Sequence, residues 1–360
     1  MLNVRSLVLL GLYGSLLLAC RPDREEDRPM APVGSGPTPL DLHYPSWVVD
    51  TNNAIMLPAD DPLTVEGVAL GRRLFYEKAL SDDYSMSCSS CHQQAFGFSD
   101  PQMFSLGTDG SIGRRNSMAI MNAAWDRFFF WDTRAPSLEM QALGPVVNPV
   151  EMRNSWPVVE ARLAAHPEYP ALFEQAFGTA EIDSMQVVRA IAQFERTLLS
   201  FNSRFDRYEY EGDLGALTAQ EIRGRDLFFG EAHCNDCHTA PLFTDHTVLN
   251  IGLGPDPEDT GLEEITGIHA DGGRFKTPTM RNIEMTAPYM HDGRFATLEE
   301  VIDFYGDDVD LTTPNLAEHM LPWMVGQIDL DPTERADLVA FLKSLTDQEF
   351  LSAPAFSDPN

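Results

Sequence analysis

Two pentapeptides constrain this chain more than any other feature: Cys88-Ser89-Ser90-Cys91-His92 and Cys234-Asn235-Asp236-Cys237-His238. Cys-x-x-Cys-His is the attachment signal of a c-type haem. The two thiols become thioethers, and the adjacent His is placed under the iron as its proximal ligand. With five Cys and nine His in 360 residues, chance supplies about 0.002 such matches. A redox dithiol and a zinc site are the rival readings. A dithiol does not need a His directly after the second Cys in both copies. A zinc site wants four ligands in one cluster, and these motifs lie 146 residues apart.

The fifth cysteine, Cys20, ends the opening segment MLNVRSLVLLGLYGSLLLAC. One Arg precedes an apolar run from Leu7 to Ala19, too short and too poorly flanked to span a bilayer, so it reads as a signal peptide, residues 1–19. Leu17-Leu18-Ala19-Cys20 looks like a bacterial lipobox, with cleavage before Cys20 and a lipid on its thiol. An ordinary signal peptide with an incidental Cys is the plainer reading. Residues 20–45 are rich in Pro, Gly and charge and are expected as a flexible tether. The expected location is the periplasmic side of a bacterial membrane, lipid-anchored. No cysteine is left for a disulfide.

The charge is −30, from 25 Lys+Arg against 55 Asp+Glu. That excludes an electrostatic nucleic-acid binder, which needs a basic face. It leaves room for a basic protein partner, although solubility explains it more simply. A 43% hydrophobic content excludes a disordered chain. The length suits two domains better than one core. Only Lys78, Lys276 and Lys343 are lysines, and the sequence offers no functional account of that.

The stretch before each haem motif repeats. Gly71-Arg72-Arg73-Leu74-Phe75-Tyr76 precedes the first, and Gly224-Arg225-Asp226-Leu227-Phe228-Phe229 precedes the second. Thr218 and Glu221 have the form of a capping box. Val187, Ile191, Phe194 and Leu198 predict a long helix ending near Ser200. Asp331, Pro332 and Glu334 start a C-terminal helix with the stripe Leu338, Phe341, Leu342 and Leu345. Alternating strand patterns are scarce. The expected fold is mainly α, with two cytochrome c-like domains that each bind one covalent c-type haem. Their expected bounds are 46–212 and 213–350. The Gly- and Pro-rich loop 250–275 is expected around the second haem.

From about residue 60 to 346 the chain resembles the bacterial di-haem cytochrome c peroxidases, MauG-type enzymes included. The carriers are CSSCH, GRRN, WDTRAPSLEMQALGP with the following EM, CNDCH, and FKTPTMRNIEMTAPYMHDGRFATLEEV. The resemblance implies that Glu151 is the distal acid/base of the first haem, Gln141 a distal amide and Pro145 the distal proline. It implies that Trp131 lies between the haems, and that His92 and His238 are the proximal ligands. It also implies a calcium ion between the domains, at Asn116, Thr286 and Pro288. The chemistry of the residues agrees. One carboxylate can take a proton from the inner peroxide oxygen and give it to the outer one. Burial would raise its pKa toward the useful range. Gln141 can donate without titrating. Taken singly, Glu151 reads as a helix-start carboxylate, Trp131 as core and Asn116 as a turn residue. Calcium does prefer oxygen ligands of the Asn116 kind.

Two departures from the family pattern stand out. Many members carry a His in the loop before the Arg-Asn pair, which caps the resting first iron. Here Thr108 holds that position, and no His lies between His92 and His166. The first iron is therefore expected five-coordinate or water-bound at rest. Ordinary members also place a Met on the second iron from the Leu-Glu-Glu helix. Here the position is Tyr305, as in the MauG group. Leu298, Ile302 and Tyr305 share one helix face, and Thr297 with Glu300 forms a capping box. A phenolate stabilises oxidised iron and lowers the potential, whereas Met raises it. The plainer reading makes Tyr305 a core residue, with Met280, Met285, Met290, Met320 or Met324 as ligand.

Three functions compete. The first is a peroxidase that reduces hydrogen peroxide with electrons from a small cytochrome c or cupredoxin. The second is a MauG-like enzyme that oxidises Trp or Tyr side chains of a partner protein. The third is a non-catalytic di-haem electron carrier, which would not need Glu151, Gln141 and an open iron.

Overall fold

Helices supply nearly all the regular structure, because the apolar residues recur at helical spacing and the helix starts carry caps. In the computed structural model, residues 36–49, 54–254, 256, 258–320 and 328–359 are described. Cys20, the signal segment and Met324 lie outside them. The helices are α1 (Val65–Phe75), α2 (Leu138–Val147), α3 (Trp156–Ala165), α4 (Tyr169–Phe177), α5 (Ser184–Glu195), α6 (Arg204–Tyr210), α7 (Ala219–Phe229), α8 (Glu263–Thr266), α9 (Leu298–Asp303) and α10 (Pro332–Lys343). Strands β1 (Val248–Leu249) and β2 (Phe275–Lys276) pair antiparallel, Val248 opposite Lys276.

Two helix crossings organise the residues from Gly36 onward, which form one compact unit. Gly71 of α1 meets α5 so closely that a Cβ would sit 1.8 Å from the Ala190 carbonyl oxygen. Gly224 of α7 meets α10 in the same way, with a Cβ 1.9 Å from the Asp337 carbonyl oxygen. Only glycine lets the backbones touch there. One core forms around the first crossing, with Leu70, Leu74, Phe75, Val187, Ile191 and Phe194. A second forms around the other, with Phe205, Phe228, Leu338, Phe341 and Leu342. Each such side chain contributes about 1.5–3 kcal/mol by leaving water. Inside the second half, Arg281 forks onto Asp206 at 2.8 and 2.9 Å, and both are fully buried.

A second repeat lies between the crossings, with every pair 160 positions apart. Asn122 and Asn282 both take a left-handed conformation, φ 53° and 54°, before a 3₁₀ turn. The bridge Phe129–Ala135 matches Tyr289–Phe295. The ion pair Arg134–Asp132 matches Arg294–Asp292. Ser137 caps α2 as Thr297 caps α9. The same offset sets Trp131 against His291, and Pro145 against Tyr305.

Several boundaries differ from expectation. Packing begins within the expected tether: Thr38 donates to Glu66 at 2.7 Å, and Tyr44 meets the Trp125 ring edge-on at 5.3 Å. α5 stops at Glu195 rather than near Ser200. The N–H groups of Thr197 and Leu198 bond three residues back, which tightens the end into a 3₁₀ turn. α9 widens after Asp303 into a π turn over Phe304–Asp308, which holds Tyr305. After α10 the chain returns to the first core. Phe350 joins it there, and Arg72 bonds the carbonyls of Pro354 and Ser357 at 2.6 and 2.7 Å.

Candidate functional site

Each Cys-x-x-Cys-His motif forms a short 3₁₀ turn that brings its two thiols and its imidazole together. His92 Nδ1 lies 2.9 Å from the Phe98 carbonyl oxygen. His238 Nδ1 lies 3.2 and 3.1 Å from those of Phe243 and Pro278. A carbonyl can only accept, so Nδ1 carries the proton and Nε2 keeps its lone pair. Burial also pushes both imidazoles below their usual pKa, toward the neutral form a metal takes. The four thiols are unpaired, and burial raises their pKa values. A redox dithiol needs the opposite shift. Thiols, free Nε2 atoms and apolar surroundings together fit covalent haem.

Two cavities bear on the site, and of the two motifs only the second contributes lining residues. One is lined by Cys234, Cys237, His238 and Tyr305, and reaches Trp131 and Asn116 of the first half. Burial pushes the Tyr305 phenol well above its ordinary pKa. Met280, Met290 and Met320 share the wall with Tyr305. Met285 does not, among the described residues. Trp131 donates its indole N–H to the Asn116 carbonyl at 2.9 Å, and its ring faces His291 edge-on at 6.5 Å. Thr286 and Pro288 also border this cavity, so the three expected calcium ligands share one wall. The Asn116 amide nitrogen donates to the Gln102 and Met103 carbonyls at 3.0 and 3.3 Å. Its side-chain Oδ1, not the backbone oxygen that Trp131 occupies, is the Asn116 atom a cation would take. Ile251 and Leu253, from loop 250–275, line the cavity too.

The other cavity holds Glu151 and Pro145, with Phe130, Arg134, Met140 and Asn148. Pro145 lies inside α2, where it cannot donate to the Gln141 carbonyl one turn back. Gln141 shares that helix but is not among the cavity's lining residues. Burial raises the Glu151 pKa, and the Arg134 charge and a 2.7 Å bond from Asn148 offset part of the rise. Arg134 is held by both Asp132 oxygens at 2.9 Å and stacks 3.4 Å over Phe130. The Thr108 backbone donates to the Glu151 carbonyl at 3.0 Å, and its hydroxyl is buried without a partner. Sequence reasoning named Glu151 and Pro145 but missed Arg134, Asn148 and His291. The signal for Arg134 was present, since Trp131-Asp132-Thr133-Arg134 returns as His291-Asp292-Gly293-Arg294.

The sequence profile of the di-haem cytochrome c peroxidases matches residues 65–214. The chain is 40% identical to a methylamine utilization protein MauG of Methylorubrum extorquens, over 80% of each chain. It is 34% identical to a cytochrome c551 peroxidase of Nitrosomonas europaea, over 84% of this chain and 87% of that one. A crystal structure of a MauG-like protein associated with microbial copper homeostasis superposes with a TM-score of 0.79 at 36% identity, covering 88% of this chain and 99% of the other. The chain belongs to the di-haem cytochrome c peroxidase family, and is an oxidoreductase with two covalently bound haems c.

Proposed function

We propose that this chain reduces hydrogen peroxide to water at its first haem, taking two electrons and two protons per peroxide. The electrons enter through the second haem from a small cytochrome c or cupredoxin. The haem irons supply the redox capacity and a binding place for peroxide. The chain supplies the proton handling. The observation that carries the reading is the cavity where Glu151 and Pro145 meet, with the Glu151 pKa raised by burial. A carboxyl poised nearer neutrality both accepts and returns a proton. Glu151 is the acid/base that would take and return the proton, Pro145 offers the iron no ligating group, and Gln141, one turn before it on α2, is the distal amide. Trp131 carries electrons between the halves. Thr108 stands where a capping His would be, so no His release is needed before turnover.

One observation favours the second reading, oxidation of Trp or Tyr side chains in a partner protein. Tyr305, not a Met alone, borders the second haem cavity, and its ligation would let that haem hold an oxidising equivalent. Stopped-flow mixing with peroxide separates the two. Rapid turnover of reduced cytochrome c supports the peroxidase. Fast two-electron oxidation spread over both haems, with poor cytochrome turnover, supports the modifier. Peroxide reduction unaltered in Glu151→Gln overturns the role of Glu151 in both.

The remaining features complete the proposal. Asn116, Thr286 and Pro288 hold calcium through oxygen atoms. Residues 46–212 and 213–350 are the two haem domains, with α6 (Arg204–Tyr210) packing on the second core and Phe350 on the first. Residues 1–19 direct export, and lipid on Cys20 anchors the protein at the periplasmic face. Among the described residues, no helix is long and apolar enough to cross a membrane.

A further inference from the structure

Lys276 is one of three lysines, and it sits in the wall of the second haem cavity. Among the described residues lining that cavity, it is the only Lys or Arg. Its side chain is 6% exposed, and its Nζ is 2.7 Å from Asp126 Oδ2. His246, also in the wall, places Nδ1 2.9 Å from Asp126 Oδ1. Burial opposes ionisation of Asp126, but Lys276 and His246 outweigh it and hold the carboxyl below its ordinary pKa. Asp126 comes from the first half and Lys276 from β2. The Lys276 backbone donates to the Trp131 carbonyl at 2.8 Å, and its ammonium lies 5.8 Å from the Phe129 ring.

A haem brings two propionates, and a carboxylate placed against this apolar wall needs a cation or donors. We propose that Lys276 is the cation that holds a propionate of the second haem, with Asp126 fixing its position. The inference rests on the two-haem reading and adds a positioning role. A lysine shared between Asp126 and a propionate ties the haem edge to the segment carrying Trp131. It also places a positive charge beside the second haem, which stabilises the reduced iron relative to the oxidised.

The test uses the holo-protein. Lys276→Met should lower the midpoint potential of the second haem and shift its propionate-bending band in resonance Raman, with the first haem unchanged. Lys276→Arg should keep both near the parent values. Asp126→Asn should raise the potential. Haem content by mass, two per chain, is the control. Lys276→Met with both haems attached and both readouts unchanged overturns the proposal. If that variant loses haem, an unchanged potential in Asp126→Asn overturns it instead. Neither readout needs peroxide turnover, so failure here is distinct from failure of the peroxidase reading.

Discussion

Glu151 and Glu195 are both carboxyls raised by burial, yet their surroundings assign them different parts. Glu151 borders a cavity, with Asn148 and Arg134 at hand. Replacing it by Gln should cut peroxide turnover by about 10²–10⁴-fold with both haems kept, read by steady-state kinetics. The parent's activity should rise with pH through the raised Glu151 pKa, since the carboxyl must be ionised to accept the first proton. That limb should vanish in the Gln variant. Glu195 is 2% exposed, one oxygen has no partner, and its pKa is pushed up to about 8. Burial drives the rise, Arg196 opposes it and Glu139 adds to it. The folded protein therefore keeps a proton that the unfolded chain has lost. Stability must fall as pH rises from the unfolded pKa near 4.5 to about 8. Glu195→Gln should melt near the parent at pH ~5 and above it at pH ~8, at about 1.4 kcal/mol per unit of the window. Equal melting at both would sink this. Glu151 was legible because its motif is local. Glu195 was not, because burial is decided by α2 and α5 together.

At the scale of elements, what was legible is what neighbours in sequence decide. The capping boxes at Thr218 and Thr297 and the N-cap at Asp331 form as read, since each needs only residues within the next three positions. The Gly71 and Gly224 repeat was legible as a pattern, but its cause is the opposing helix. Gly224→Ala would press a methyl into the Asp337 carbonyl, and should destabilise by about 1–3 kcal/mol in denaturant melts while Gly215→Ala leaves stability unchanged. The π turn at Phe304–Asp308 was not legible, because a 3.6-residue period describes an unbroken helix. Widening there still sends Tyr305 to the haem cavity. Tyr305→Met should raise the second haem's potential in a spectroscopic redox titration, since a thioether favours reduced iron more than a phenolate. An unchanged potential would argue that Tyr305 is only core.

At the scale of the molecule, two copies of one plan keep their turns, caps and ion pairs while most of their side chains differ. The offset of 160 residues was present in the sequence, in Asn122 and Asn282, Asp132 and Asp292, Arg134 and Arg294, and Leu138 and Leu298. It is hard to see there, because α1 to α5 and α7 to α10 enclose it at different spacings. The structure makes it plain by repeating bridges, caps and ion pairs. Under this correspondence Pro145 and Tyr305 occupy one place on two helices. Pro145 has no group to offer a metal, and its helix borders the Glu151 cavity. Tyr305 offers a phenol, and its half of the repeat has Leu311 where the other has Glu151. On the proposed function, openness at one haem and closure at the other would reduce to this one pair of side chains. Pro145→Tyr should therefore close the first haem. Its ferric spectrum should turn low-spin, peroxide should no longer react with it, and the second haem's potential should stay as it was. An open, reactive first haem in this variant would show that the halves, though built alike, do not present position 145 as they present position 305.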